Sequence, residues 1–372
     1  MNLYLDSNAH IKMSDCALKA YTDFQNSVAG HGHPSSLSKS GQLAAAALEE
    51  ARSKIKTLLG AEIESELVFT STCSQACEWA LHILTSHCIK TNPPRIMFYS
   101  PVEHSSVRDC IENYLINKYS SCNKISFSRM NVDHNGVIVG SPANYAVCIH
   151  IQNELGTIQP IQKLYGCRLL SDMCQSVGKV SINLSDMGVD MATFGGHKFG
   201  GSAGLGFIYI KDPSWWQEFG TGSRYLNDRP GTPDVGAAVA TAAALDDILL
   251  NMPERTERSQ AFQNTLEPRL QEMGLEIIGK GAPRVPGTTF VKLSKIALYV
   301  LLDLSNQGIM VGLGSACGAM NPGVPPVIKA LGRSEDAHDF IRISQHGEYD
   351  STDALYFVDQ LNKSIRKLGD IT

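Results

Sequence analysis

The chain has 372 residues, 43% hydrophobic and 19% charged, which excludes a disordered or fibrous protein and predicts one large and one smaller domain. The net charge is −5 and no run of basic residues occurs, so we expect no direct binding of nucleic acid. The sequence shows neither a signal-peptide pattern nor the about 20 apolar residues of a membrane span, and therefore predicts a soluble, cytoplasmic protein with no membrane contact.

The predicted elements begin with short β-rich runs that alternate with helix-length segments up to residue 210. This alternation predicts an α/β fold with a mostly parallel sheet that helices cover on both faces. Segment 74–87 carries an apolar stripe and is expected to be a helix with Ser74 as its N-cap. The predicted strands cover residues 67–70, 96–99, 145–151, 167–170, 189–194 and 206–210.

After residue 211 the pattern changes to two long helices, 235–250 and 255–273, and then to an α+β region. We place the domain boundary near Pro253: residues 41–253 form the large domain, residues 254–372 form the small domain, and residues 1–40 pack on the small one. The predicted elements of the small domain are strands 275–278, 288–293, 309–312 and 340–344, a helix over 296–305, and a closing helix capped by the hydroxyl of Ser351.

The ten cysteines are spread over the whole chain, unlike the dense disulfide framework of small secreted proteins. No Cys-x-x-Cys pair occurs, and the pairs Cys73–Cys77 and Cys167–Cys174 lack a second ligand pair close by in sequence. We therefore predict reduced thiols and no metal site.

Polar side chains follow four of the predicted strands: His104, Asn153, Asp172 and the pair His197-Lys198. In open α/β sheets, ligands bind at the carboxyl ends of the strands. The sequence therefore predicts a site where these four strand ends meet.

Lys198 lies in a strand end that contains four glycines, Gly195-Gly196-His197-Lys198-Phe199-Gly200-Gly201. Glycine lets the backbone approach a ligand closely, and a lysine near other cations can lose its proton and form a Schiff base. A solvated lysine in an ordinary glycine-rich turn is the alternative. Asp172 can keep a pyridine nitrogen protonated, and the turn 69–74 can bind a phosphate at a helix N-terminus.

In order and spacing, these motifs resemble the cysteine desulfurases of the class V aminotransferase group, in the branch that includes the iron–sulfur and nitrogenase-associated enzymes. The resemblance implies a fold-type I enzyme dependent on pyridoxal 5'-phosphate (PLP), with a mostly parallel seven-stranded sheet and a smaller α+β C-terminal domain. The motifs that carry it are Tyr4-Leu5-Asp6, Gly32-His33-Pro34, Glu103-His104, Asn153-Glu154-Leu155-Gly156, Asp172-Met173-Cys174-Gln175, Gly196-His197-Lys198, Gly314-Ser315-Ala316-Cys317 and Ile341-Arg342-Ile343-Ser344.

The resemblance also implies residue roles. Lys198 would hold PLP as a Schiff base, Asp172 would pair with the ring nitrogen, and His104 would stack on the ring and carry protons. Arg342 and Asn153 would bind the substrate, the arginine through its carboxylate. The other implied cofactor contacts are Asn153 and Gln175 beside the ring hydroxyl, and Cys73, Ser74, His197 and, from the second subunit of a homodimer, Thr232 around the phosphate.

Cys317 is the residue that distinguishes sulfur chemistry from other PLP reactions. It stands among small residues, Gly314-Ser315-Ala316-Cys317-Gly318-Ala319, where a thiolate can move and remain accessible. The family resemblance implies that Cys317 takes the sulfur of L-cysteine as a persulfide, that alanine is released, and that the sulfur then passes to an acceptor protein.

Several positions depart from the usual family pattern. Gly195 replaces a serine that usually contacts the phosphate, Ser74 replaces a threonine, and Met173-Cys174 replaces Ala-Thr. These departures suggest a specialised sulfur supplier, serving iron–sulfur assembly, tRNA thiolation or DNA phosphorothioation. The alternatives are another PLP reaction on the same fold, such as an aminotransferase or a selenocysteine lyase, and a non-catalytic sulfur-carrier scaffold.

Overall fold

A computed structural model describes residues 2–91, 95–140, 142–219, 231–293, 296–314, 324–336 and 338–369. Its strands are β1 Leu3–Leu5, β2 Glu66–Thr70, β3 Arg95–Tyr99, β4 Ile125–Arg129, β5 Asn131–Val132, β6 Ile138–Val139, β7 Tyr145–Val147, β8 Arg168–Asp172, β9 Met191–Gly195, β10 Gly206–Ile210, β11 Glu276–Ile278, β12 Thr288–Lys292, β13 Ile309–Val311 and β14 Phe340–Ser344.

The helices separate most of these strands along the chain. They are α1 Asp15–Gln25, α2 Lys39–Leu58, α3 Cys73–Lys90, α4 Ser105–Asp109, α5 Ile116–Lys118, α6 Pro213–Phe219, α7 Val235–Leu250, α8 Met252–Glu272, α9 Ala297–Asn306, α10 Pro326–Ala330 and α11 Ser351–Gly369. A π-helical stretch, Cys110–Leu115, joins α4 to α5.

The central sheet has seven strands in the order β2-β10-β9-β8-β7-β3-β4. The pairs from β9 across to β4 are parallel, and β10 is antiparallel to both of its neighbours. This confirms the predicted α/β fold with a mostly parallel sheet. It also adds β4, an edge strand that the sequence analysis missed because its serines interrupt the apolar run.

Two apolar layers cover this sheet, one on each face. On one face, the alanine-rich α7 packs with α1 and α2 against the sheet. Asp234 caps α7 by accepting the N–H of Ala237, and small side chains let this helix lie close to the strands. On the other face, α3 and α6 bury Trp215 and Trp216 beside the central strands. The sheet is thus buried on both faces, which leaves its strand ends for chemistry.

A second, smaller layer contains the antiparallel sheet β11-β12-β14, with a core that α8, α9 and α11 share. β1 lies parallel to β13 in a separate two-stranded sheet. The prediction that residues 1–40 pack on the small domain therefore needs correction, since β1 lies here but α1 packs on α7 of the central layer.

Three predicted details differ from the structure. Ser74 is not the N-cap of α3, because the helix begins at Cys73 and Thr72 caps it. Ser351 does not cap α11; the side chain of Asp350 accepts the first N–H groups instead. The strand predicted over 145–151 ends at Val147.

Among the described residues, no single helix has the length and apolar character needed to cross a membrane. α7 and α8 reach that threshold only when taken together, and they bend by 64° where they join.

Candidate active site

A cavity of about 190 Å³ lies at the carboxyl ends of the central strands. Residues at the four strand ends that the sequence analysis selected line this cavity, together with residues from the N-terminal segment and from β14. Its lining consists of Asn8, Ala9, Cys73, Ser74, His104, Ser106, Ile149, Asn153, Asp172, Cys174, Gln175, His197, Lys198 and Arg342. The four strand ends that the sequence analysis selected therefore meet at one cavity.

Lys198 ends a short 3-10 turn, Gly196–Lys198, directly after β9. The turn is tight: a Cβ atom at Gly196 would lie 2.8 Å from the carbonyl oxygen of Ser202. Lys198 Nζ donates to the carbonyl oxygens of Asn8 and Ala9, each at 2.7 Å. Burial, together with the charge of Arg342, lowers the pKa of Lys198, so the amine is easier to deprotonate than an ordinary lysine.

Asp172 is the last residue of β8, and its side chain is buried at the edge of the cavity. Burial raises the pKa of this carboxyl group to about 6, against the opposing effects of the Cys174 N–H, which donates to Oδ1 at 2.9 Å, and of Lys198. A cationic partner next to such a buried carboxyl group would stabilise its charged form and lower its pKa.

His104 lies at the start of α4, where Ser106 holds the ring. Nδ1 of His104 accepts the Ser106 N–H at 3.2 Å and lies 2.8 Å from Ser106 Oγ. Burial and the nearby charge of Lys198 lower the pKa of His104 to about 4, so the ring is neutral at pH 7. Because Nδ1 accepts a backbone N–H, the proton of the neutral ring resides on Nε2.

The first turn of α3 provides backbone N–H groups at the cavity. Thr72 Oγ1 accepts the Gln75 N–H at 3.1 Å, whereas the first positions of a helix, here Cys73 and Ser74, have no intrahelical acceptor. His197 borders the same region, and its ring stacks on that of His10 with centroids 5.8 Å apart. This end of the cavity suits an anion.

The side-chain amide of Gln175 forms a hydrogen bond through its nitrogen and another through its oxygen. Its Nε2 donates to the Asn8 carbonyl at 2.8 Å, and its Oε1 accepts from Lys179 Nζ at 2.6 Å. Lys179 also donates to Asn8 Oδ1 at 2.7 Å. Burial, followed by the charges of Lys198 and Arg342, lowers the pKa of Lys179 to about 7. The sequence analysis missed Asn8 and did not single out Lys179.

Arg342 reaches the cavity from β14 and is almost completely buried. One terminal nitrogen forms an ion pair with Asp6 at 2.6 Å, and the other donates to the Asn153 carbonyl at 3.1 Å. The Nε atom of Arg342 is buried without a partner among the described residues. A buried cation with an unused donor is suited to hold a carboxylate.

Of the predicted site residues that the structure describes, Thr232 alone does not line this cavity. Thr232 is exposed, and its expected role toward a second subunit remains a prediction. Cys317 lies outside the described residues, so its predicted role is untested; the described chain before it ends at Gly314, whose φ is +96°.

A thiol cluster, defined here as Cys73, Cys77 and Cys174, lies beside Asp172. The sulfur atoms of Cys73 and Cys174 are 3.1 Å apart, and those of Cys73 and Cys77 are 4.0 Å apart. The sulfurs of Cys73 and Cys77 and an oxygen of Asp172 lie within 4.8 Å of one another, a spacing that admits a metal ion. The sequence analysis predicted no metal site, because Asp172 lies far from the two cysteines in sequence. The third member, Cys174, comes from a different part of the chain.

The chain resembles known proteins over almost its full length. The model of the aminotransferase class-V family matches residues 3–354. A cysteine desulfurase of Klebsiella pneumoniae is 30% identical over 341 residues, which cover 86% of this chain and 82% of that protein.

Solved structures agree with this fold. A NifS-like protein has a TM-score of 0.81 at 25% identity and covers 99% of this chain and 100% of its own. SspA in complex with cysteine has a TM-score of 0.74 at 23% identity, with 94% of this chain and 99% of that one covered. Since the family model spans most of the sequence and the Klebsiella relative aligns over most of both chains, the chain belongs to the aminotransferase class-V family and, within it, to the cysteine desulfurases.

Proposed function

We propose that this chain is a PLP-dependent enzyme that removes sulfur from L-cysteine and releases L-alanine. The observation that carries the proposal is the convergence of Lys198, Asp172 and His104 on one cavity with a buried, partly unpaired Arg342. Family membership supports the same activity.

The residues of the cavity fit PLP by their chemistry. A carboxylate suits a protonated ring nitrogen, a lysine of lowered pKa suits an aldehyde, and free N–H groups at the start of α3 suit a phosphate. Asp172, Lys198 and the turn at Cys73 and Ser74 would hold the cofactor in these ways. PLP supplies an electron sink for bonds at the α-carbon of an amino acid.

The chain's own groups account for binding and proton transfer. Arg342 would hold the substrate carboxylate, because its contacts with Asp6 and Asn153 use only two of its five N–H donors. Lys198 Nζ can accept a proton, since its pKa is lowered. His104 is neutral with its proton on Nε2 and lines the cavity, so it can donate a hydrogen bond to a bound group.

We propose that Gln175 and Asn153, which both line the cavity, lie beside the ring hydroxyl of the cofactor. The Asn8 carbonyl and Lys179 hold the amide of Gln175 in place, and they leave its second N–H and one lone pair of its oxygen for that contact.

Cys317 is proposed as the nucleophile that takes the substrate sulfur and carries it as a persulfide to an acceptor protein. Support comes from its place among small residues in the sequence. We further propose a cytoplasmic homodimer in which Thr232 completes the partner's phosphate site. The acceptor would serve iron–sulfur assembly, tRNA thiolation or DNA phosphorothioation.

The test is to incubate the PLP-loaded protein with L-cysteine and to measure alanine and the mass of the Cys317 peptide. We expect alanine to form and Cys317 to gain a sulfur atom. A Cys317→Ser variant should keep the visible absorbance of bound PLP and lose both products. Keto acid formation that survives Cys317→Ser would indicate an aminotransferase, and a colourless protein that gains no absorbance with PLP would indicate a non-catalytic scaffold.

A further inference from the structure

The thiol cluster contains a closely spaced pair that the proposed reaction does not use. Sγ of Cys73 and Sγ of Cys174 are 3.1 Å apart, although the residues lie about a hundred positions apart in sequence. A disulfide joins sulfurs at about 2.05 Å, so these two sulfurs lie about 1 Å beyond bonding distance. Cys174 lines the cavity, which gives small solutes a path to the pair.

A glycine makes the close approach possible. A Cβ atom at Gly195 would lie 3.0 Å from Cys73 Cβ and 3.1 Å from Cys174 Sγ, both tighter than an ordinary contact. The serine that the family usually has at this position would therefore crowd both thiols. Gly195, Cys73 and Cys174 form one local arrangement in which the glycine provides the space that the two sulfurs occupy.

We propose that Cys73 and Cys174 form a reversible disulfide when the cavity holds no cofactor, and that this bond prevents cofactor loading. Peroxide is the class of oxidant that the proposal requires. The formation of the bond depends only on the geometry above, whereas its effect on loading rests on the proposed PLP function.

The reaction balances in two steps. The Cys174 sulfur, which is the more exposed of the two, attacks a peroxide oxygen; the O–O bond breaks, and a sulfenic acid and water result. The Cys73 sulfur then attacks the sulfenic sulfur, the S–S bond forms, the S–O bond breaks, and a second water leaves with the thiol proton. Two thiols lose two electrons to one peroxide, and an added dithiol reverses the change.

The link would join two parts of the site that bind different ends of the cofactor. Cys73 is the first residue of α3, where the phosphate is expected, and Cys174 follows Asp172 by two residues and donates its N–H to that carboxylate. Drawing the two sulfurs together shifts the helix start relative to the end of β8. A bound cofactor would in turn cover Cys174 and protect the pair.

The experiment treats the cofactor-free protein and the PLP-loaded protein with hydrogen peroxide and then maps tryptic peptides. Peptide 169–179 contains Cys174 as its one cysteine, and peptide 57–90 contains Cys73, Cys77 and Cys88. We expect these two peptides to be joined in the cofactor-free sample, with fragmentation locating the bond at Cys73, and to remain separate in the loaded sample. The joined protein should gain no visible absorbance with PLP until a dithiol is added.

Matched variants separate the outcomes. Cys174→Ala should prevent the cross-link and load PLP equally well with and without peroxide, each compared with its own untreated sample. Cys77→Ala, which leaves the pair intact, should behave like the natural protein. Any of three results would overturn the proposed disulfide: separate peptides after oxidation, a bond to Cys77 instead of Cys73, or zinc held by the cluster without any cross-link. A cross-linked protein that still loads PLP would overturn only the effect on loading, and a failure of PLP to bind before oxidation would contradict the proposed function instead.

Discussion

Asp172 is a buried carboxyl group at the cavity, and burial raises its pKa to about 6. Above that pH its carboxylate can pair with a cationic ring nitrogen, and below it the group is protonated and neutral. Its raised pKa also means that, in the cofactor-free protein, this group favours the folded state most at low pH and that the contribution declines as pH rises through about 6.

The affinity for PLP should therefore fall as pH decreases through about 6, because the carboxylate loses the charge that attracts the ring nitrogen. An Asp172→Asn variant should bind PLP more weakly, by about tenfold or more, and should lack this component of the pH dependence. Titration of the cofactor-free protein with PLP at several pH values, followed by absorbance, measures both effects.

Asp190→Asn is the control, since Asp190 is an acid just before β9, at the opposite end of the strand from Lys198. This variant should keep the pH dependence of the natural protein. Equal pH dependence in the natural protein and in Asp172→Asn would contradict the assigned role of Asp172.

Individual site residues were predictable from the sequence where they lie at the end of a central strand or in the turn after it. Asp172 and Lys198 belong to this class, and both line the cavity. Asn8 and Lys179 were not recognised as site residues, because their contacts join segments about 170 residues apart, and no local pattern reports such a pairing. The contact between Lys179 and Gln175 spans only four residues, and it was missed because that spacing alone does not show that both side chains are buried.

The first turn of α3 is the element on which the anion site depends. Thr72 and Ser74 are both good N-cap residues, so propensity alone did not identify the helix start, and the sequence analysis chose the wrong one. The structure shows that Thr72 has extended backbone and accepts the Gln75 N–H, and that Cys73 and Ser74, whose N–H groups have no intrahelical acceptor, line the cavity.

Thr72→Ala should lower the free energy of unfolding by about 1 kcal/mol, because the helix loses its cap. It should also weaken PLP binding by about fivefold, since a frayed first turn no longer fixes the phosphate N–H groups. Chemical denaturation and PLP titration measure the two effects.

The matched variant is Asp350→Ala, which removes the cap of α11 in the C-terminal region. It should cost a similar free energy of unfolding and leave PLP affinity unchanged. If both variants weakened PLP binding equally, the weaker binding would reflect general stability, and this result would contradict the proposed role of the α3 turn.

The N-terminal segment connects the layers of the protein through Asn8. Its Nδ2 donates to the Asn153 carbonyl and to Thr288 Oγ1, both at 3.1 Å, and its Oδ1 accepts from Lys179. The central sheet was foreseeable from its apolar strands, whereas this connection was not, because it depends on one polar side chain placed between two packed layers.

Asn8→Ala should lower the free energy of unfolding by about 1–3 kcal/mol, because it leaves buried polar groups without partners. Ser7→Ala is a matched control: Ser7 is also buried, but its hydroxyl has no partner within the described part of the chain, so its loss should cost little. Denaturant titration of the two variants measures the difference, and equal stabilities would refute the connecting role of Asn8.

The central claim is that Lys198, and no other lysine, holds the cofactor opposite Asp172. The most direct measurement is borohydride reduction of the PLP-loaded protein followed by peptide mapping, which fixes the cofactor to its lysine. Lys179 is the strongest competitor, since it is buried nearby with a pKa lowered to about 7. The account predicts the added mass on Lys198 alone; the mass on Lys179, or no fixed cofactor at all, would contradict it.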